Sequence, residues 1–361
     1  MKTERQKFVM ESGQAAKRIA SIDTMRIVAN FSVVVSHWFN WYGPGGTITY
    51  SLFYYFLGNI AHFAVPFFFI MSGYFICRSF GRGKGRRQVI RRYSTRIVPI
   101  YIFWTLVYAL VPGLGLRTLS AGGGLGPLIK HLQKLAIVFQ EKPIDFLMTG
   151  NTHHLWFLPA LIVGCFWLAS WTRLNRESWI LPMGAVAYGI FLFTGPYAAV
   201  FGIERWPYHI SVGFLTPIGC MSLGYFVCKK NMQLSVKSAS ALILVGYVLK
   251  LFERLVIFDL TNDPFRQAFM LGTPVMSLGI FFVALASPRF LERPAMSRLS
   301  SLTLGVYACH IIMDQKINQF DFFRHGTWLE FFGPAAIYAT SIAVVYVLSR
   351  VPFLKRFMSN E

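Results

Sequence analysis

Arg26 and His37 lie in one apolar stretch, Ile22 to Trp41, which is long enough to cross a bilayer as a helix and also carries Asp23 and Asn30. Eleven residues turn an α-helix through about 1100°, so the guanidinium and the imidazole share one face, about 16 Å apart along the axis. Ionisable groups inside a membrane helix are costly, and they usually face a protein interior or a water-filled cavity where something uses them. A guanidinium is suited to phosphate, and an imidazole to taking a proton from a hydroxyl. Asp23 precedes Arg26 by three residues, the spacing of an ion pair that would orient the guanidinium. Asp23, Arg26 and His37 form the candidate catalytic set. The competing explanation is a charge snorkelling from a helix end beside a satisfied buried histidine.

The elements that must position these groups follow from composition. With 55% hydrophobic and 14% charged residues and a mean hydropathy of +0.49, the 361-residue chain is not an ordinary soluble domain. It reads as an all-α, polytopic integral membrane protein, with no room for a separate soluble catalytic domain. Continuous apolar runs exclude a porin-type barrel. The net charge of +20 falls mainly between apolar segments, so it marks orientation and anionic lipid or ligand, with no nucleic-acid partner expected. Five cysteines lie in or beside apolar segments without ligand spacing, so neither a disulfide framework nor a metal site is expected.

Residues 1–21 are polar and basic and are expected to be a cytoplasmic segment; residues 22–350 form the membrane domain and 351–361 a cytoplasmic tail. Expected spans are Ile22–Trp41, Ser51–Cys77, Ile97–Val111, His154–Trp171, Trp179–Thr194, Ile210–Cys228, Ala239–Phe258, Gln267–Ala286, Leu302–Ile317 and Trp328–Leu348. Leu128 to Phe139 is amphipathic and is expected along the interface. About ten helices, with every strongly basic short loop on one side, place both termini in the cytoplasm. The run from Arg78 to Arg96 contains no acid and is the strongest orientation signal.

Several stretches carry a resemblance: IDTMRIVANFSVVVSH at Ile22 to His37, VPFFFIMSGYF at Val65 to Phe75, RRYSTRIVPIY at Arg91 to Tyr101, HLWFLPALI at His154 to Ile162, and LSSLTLGVYACH at Leu299 to His310. Together they resemble the membrane acyltransferase 3 family, over nearly the whole chain and in order. An Arg, ten residues and then a His in the first span is a hallmark of that family. The size resembles its stand-alone members, not those with a fused esterase-like domain. The resemblance implies an acyltransferase of non-aminoacyl groups, acetyl-CoA as co-substrate, no permanently bound cofactor, and a multi-pass location in the bacterial inner membrane. The expected activity is O-acetylation of a cell-envelope polysaccharide or its lipid-linked precursor.

Arg26 with Arg92 and Arg96, one turn apart, would hold the phosphates of acyl-CoA. The family commonly shows two residues between that arginine pair, and this chain has three. Ser72 and Gly73 would allow close approach of the donor, or would serve helix packing. His154 and Trp156, with His62, Tyr307 and His310, are the candidate acceptor-binding groups; an aromatic belt and helix-to-helix hydrogen bonds are the alternatives. Two other functions stay open: the same enzyme class with succinyl-CoA or a non-polysaccharide acceptor, and a transporter or flippase of a lipid-linked sugar whose Arg26 and His37 line a path.

Overall fold

The computed structural model describes residues 18–41, 56–110, 126–261, 268–317 and 331–359. Every regular element among them is helical. Helix α1 (Ala20–Trp41) contains the whole first apolar stretch and no Gly or Pro to interrupt it. A short helical segment at 56–61 turns at His62 and Phe63 into α2 (Ala64–Gly81). Pro66 explains that break: it lacks an N–H to pair with the carbonyl four residues earlier, and is tolerated only in a first turn.

Helix α3 (Arg86–Leu110) starts well before the expected Ile97. Its first turns are polar, so hydropathy underestimates the helix, while Arg and Gln are good helix formers. Arg91, Arg92 and Arg96 are therefore fixed on a helix and are not in a loop. Helix α4 (Gly126–Glu141) leaves Ile129, Leu132, Ile137, Val138 and Phe139 exposed, and α5 (Pro143–Thr149) follows it. A tight turn, His153–Trp156, leads into α6 (Phe157–Arg173), which is followed by α7 (Ile180–Thr194). A widened turn at Ser211–Leu215 precedes α8 (Thr216–Lys229). Then come α9 (Val236–Thr261), α10 (Gly272–Ala286), α11 (Pro294–Ile317), α12 (Gly333–Leu348) and α13 (Pro352–Met358).

Among the described residues, four stretches, Phe56–Gly81, His153–Arg173, Glu177–Thr194 and Tyr208–Lys229, are long and apolar enough to cross a membrane, and Gly272–Ala286 and Gly333–Leu348 are shorter apolar helices. The protein is a helical membrane protein. Helices α1, α9 and α11 are outside that apolar set and carry Asp23 and Arg26, Lys250 and Glu253, and His310 and Asp314, respectively.

Between helices in a bilayer, close packing replaces the hydrophobic drive. Helix α2 meets α8 through reciprocal glycines: a Cβ on Gly73 would collide with the Met221 carbonyl, and one on Gly224 with that of Ile70. Helix α1 packs on α11, α12, α2 and α10 and is therefore central. The C-terminal α13, in the segment expected as a tail, is folded against the bundle. Its Phe357 stacks on Phe103 at 4.3 Å, and Phe357 O accepts a hydrogen bond from Trp104 Nε1 at 3.4 Å.

Candidate functional site, two cavities on one helix

Two large cavities lie along helix α1. The first, of about 550 Å³, is lined among the described residues by seven cations (Arg18, Arg26, Arg78, Arg82, Lys84, Arg92 and Arg96) and one carboxylate, Asp23. The second, of about 970 Å³, carries His37, His62, His131, His153 and His154 with Arg205, and none of its described lining residues is acidic. Tyr208, Trp156, Trp206 and Phe269 give it aromatic walls.

The change from one cavity to the other takes three residues on each of α1 and α2. Asn30 lines the first and Val33 the second on α1; Phe68 and Val65 divide in the same way on α2. Tyr307 lines both. Phe68, Phe157 and Tyr307 form a row, with ring centroids 5.9 and 5.4 Å apart. A septum of aromatic rings thus separates the cavities, and the backbone at Asn30 and Val33 spans it in less than one helical turn.

Asp23 anchors the basic cavity. Its carboxylate takes Arg18 Nε at 2.6 Å and the Ser300 hydroxyl of α11 at 2.9 Å, whereas Arg26 Nη1 stands 3.9 Å away. That last separation is an ion pair but too long for a hydrogen bond. The i,i+3 pair inferred from sequence exists, yet Asp23 spends its strong bonds on Arg18 and α11. Arg26 Nε is buried without a hydrogen-bond partner, at the wall of a cavity lined mainly by cations among its charged residues. Arg92 and Arg96 line the same space, as does Ser72. Gly73 is turned instead to α8, where it is a packing residue.

The candidate acceptor groups gather around His37. Its ring centroid lies 5.1 Å from that of His310 and 6.2 Å from that of His154, and those two are 5.1 Å apart. The Tyr307 hydroxyl donates to the His154 carbonyl, and the Tyr108 hydroxyl to Ala308 O at 2.8 Å. Tyr307 O and Ala308 O in turn receive His310 Nδ1 at 2.5 Å and His154 Nε2 at 3.2 Å. Trp156 is part of the cavity wall, whereas His310 is fully buried behind it. No group of three potential ligands among the described residues is arranged to hold a metal ion.

His62 has a different neighbourhood. Lys250, with 0% exposure, meets His62 Nδ1 at 2.9 Å and donates to Asn59 O at 3.2 Å and Ala268 O at 3.0 Å. Arg254 donates to Asn59 Oδ1 at 2.9 Å. Glu253 accepts from the Tyr197 hydroxyl and from Gly272 N at 2.9 Å. Sequence reasoning missed this cluster, although three ionisable residues within the otherwise apolar Ala239–Phe258 were its signal.

The family model described as an acyltransferase domain, acyltransferase 3, matches residues 19–350, and the chain belongs to that family. Among curated proteins it is similar to a serine/alanine racemase of Enterococcus gallinarum, 24% identical over 310 residues covering 80% of this chain and 40% of that protein. It is also similar to an amino-acid racemase of Enterococcus faecalis, 25% identical over 324 residues, which are 84% of this chain and 42% of the relative. The chain thus spans about two-fifths of the length of these curated relatives. No solved structure matches it.

Proposed function

We propose that the protein is a multi-pass inner-membrane O-acyltransferase of the stand-alone type, with about ten spans and both termini in the cytoplasm. It moves an acyl group, most simply acetyl, from cytoplasmic acyl-CoA to a hydroxyl of a cell-envelope polysaccharide or its lipid-linked precursor. The observation that carries this is the pair of cavities on one helix, with Arg26 in a cage of cations and His37 beyond a single aromatic septum.

The basic cavity receives the phosphates of acyl-CoA on Arg26, Arg92 and Arg96, and the pantetheine arm runs toward Asn30 and Tyr307. The acceptor enters the other cavity, where Trp156 and Tyr208 offer aromatic faces to a sugar and His62 offers a polar edge. His37 removes the acceptor's hydroxyl proton as the oxygen attacks the thioester carbonyl. The C–O bond forms, the C–S bond breaks, and the proton passes from His37 to the departing thiolate. The products are the ester and free CoA. The CoA phosphates stay in the basic cavity throughout, while the thioester reaches past Tyr307 to His37.

Purified protein in lipid nanodiscs, supplied with labelled acetyl-CoA and an envelope-glycan extract, transfers label and releases CoA. His37→Ala removes the transfer while leaving acetyl-CoA binding intact. Sugar flux across a vesicle without CoA release would instead establish a transporter. Succinyl-CoA as donor, and non-polysaccharide acceptors, are separate arms of the same assay.

A further inference from the structure

A backbone carbonyl accepts hydrogen bonds and never donates, so a carbonyl beside an imidazole nitrogen fixes the tautomer. Tyr307 O, 2.5 Å from His310 Nδ1, requires the hydrogen to be on Nδ1. Ala308 O, 3.2 Å from His154 Nε2, requires it on Nε2. The opposite nitrogens, His310 Nε2 and His154 Nδ1, are then bare lone pairs in the neutral rings, and both are buried without a partner. Such an atom destabilises a fold unless something uses it. Both belong to rings packed on a third ring, His37, with centroids at 5.1 and 6.2 Å.

We infer that His310 and His154 are positioning residues for His37, their bare nitrogens held ready for the N–H of the imidazolium that His37 becomes on taking the acceptor's proton. The inference rests on the acyl-transfer reading. Consecutive carbonyls of α11, Tyr307 O and Ala308 O, hold the two rings, so one stretch of helix fixes both tautomers. A catalytic triad assigns this task to a carboxylate, which holds the histidine's tautomer and stabilises its positive charge. Here the neutral rings supply acceptors without placing a permanent negative charge in a buried site. The cycle balances: the hydroxyl O–H breaks as a His37 N–H forms, and the same proton later neutralises the CoA thiolate. His310 gains and loses only a hydrogen bond.

The test uses full-length protein in nanodiscs with acetyl-CoA and the glycan extract. His310→Leu lowers kcat at least about tenfold while both KM values stay within about twofold. His310→Gln, whose carbonyl oxygen can take the place of Nε2, recovers most of the loss. Acetyl-CoA binding in the distant basic cavity reports that each variant is folded. Nitrogen-15 NMR of histidine-labelled native protein, assigned by loss of signals in His310→Gln and His154→Asn, shows a bare Nε2 on His310 and a bare Nδ1 on His154. Unchanged kcat in His310→Leu, failure of Gln to rescue, or the opposite tautomers overturns the inference and leaves the acyltransferase standing. Absence of any transfer by the native protein overturns both.

Discussion

The basic cavity is walled by full charges, whereas the histidine cavity is walled by imidazoles and aromatic rings with one arginine, Arg205. Seven cations against one acid make the first a site of strong attraction for a polyanion, reached from helix ends where long side chains remain partly solvated. The second carries five imidazoles and aromatic walls, a surface that can orient a hydroxyl-rich molecule without clamping it. On the proposed reading, a donor captured from dilute solution and an acceptor that leaves as product would make those different demands. Tyr307, in the aromatic row, borders both cavities.

The sharpest way to break this division is to remove one member from each side and measure both ligands. His37→Ala is expected to reduce transfer by about 10²–10⁴-fold, the usual contribution of a general base. Acetyl-CoA affinity, read by isothermal titration, should not change. Arg26→Ala and Arg96→Ala are expected to raise the acetyl-CoA Kd about 10- to 100-fold each, the value of a charge-assisted hydrogen bond of roughly 1.5–3 kcal/mol. Acceptor binding should be unaffected. Native affinity for acetyl-CoA should also fall steeply with salt, because the cavity's charges open toward solvent. A cavity that took an uncharged ligand would show no such slope.

A smaller contrast separates lining from packing within α2. Ser72 borders the basic cavity and Gly73 abuts Met221 on α8. Gly73→Ala is expected to cost roughly 1–3 kcal/mol through overpacking, seen as a lower thermal midpoint in detergent. Ser72→Ala should leave that midpoint in place. If both variants unfolded alike, the α2–α8 contact would be looser than described.

The sequence was informative where a polar group carries a cost. Arg26 and His37 were legible because charge and imidazole do not belong in an apolar helix, and helical rise alone put them about three turns apart on one face. The α2 break at His62 was less visible, since Pro66 marked a disturbance without saying which residue it would turn inward. Helix α3 was read too short because hydropathy stops at the membrane edge and helix propensity does not. The meeting of His37, His154 and His310 could not be read at all. It brings together α1, the turn before α6, and α11, and nothing in one helix's periodicity specifies its neighbours. Asp23 was legible as a partner for Arg26, but Ser300, which takes one of its oxygens, lies 277 residues away.

The smallest expected effect tests the aromatic side of the comparison. Trp156 lines the histidine cavity, and its ring stands edge-on to Tyr208 at 5.9 Å and to Phe269 at 6.1 Å. An aromatic contact is worth roughly 0.5–1.5 kcal/mol beyond its area, so Trp156→Ala should raise the acceptor KM about 2- to 10-fold. Trp156→Phe keeps a ring face and should recover most of that loss, whereas a role as hydrogen-bond donor through the indole N–H would give no recovery. Neither variant should alter acetyl-CoA affinity, because the septum lies between them and the arginines. A change in donor affinity here would mean that the cavities exchange more than an acyl group, and that the ring row at Tyr307 moves when the acceptor binds.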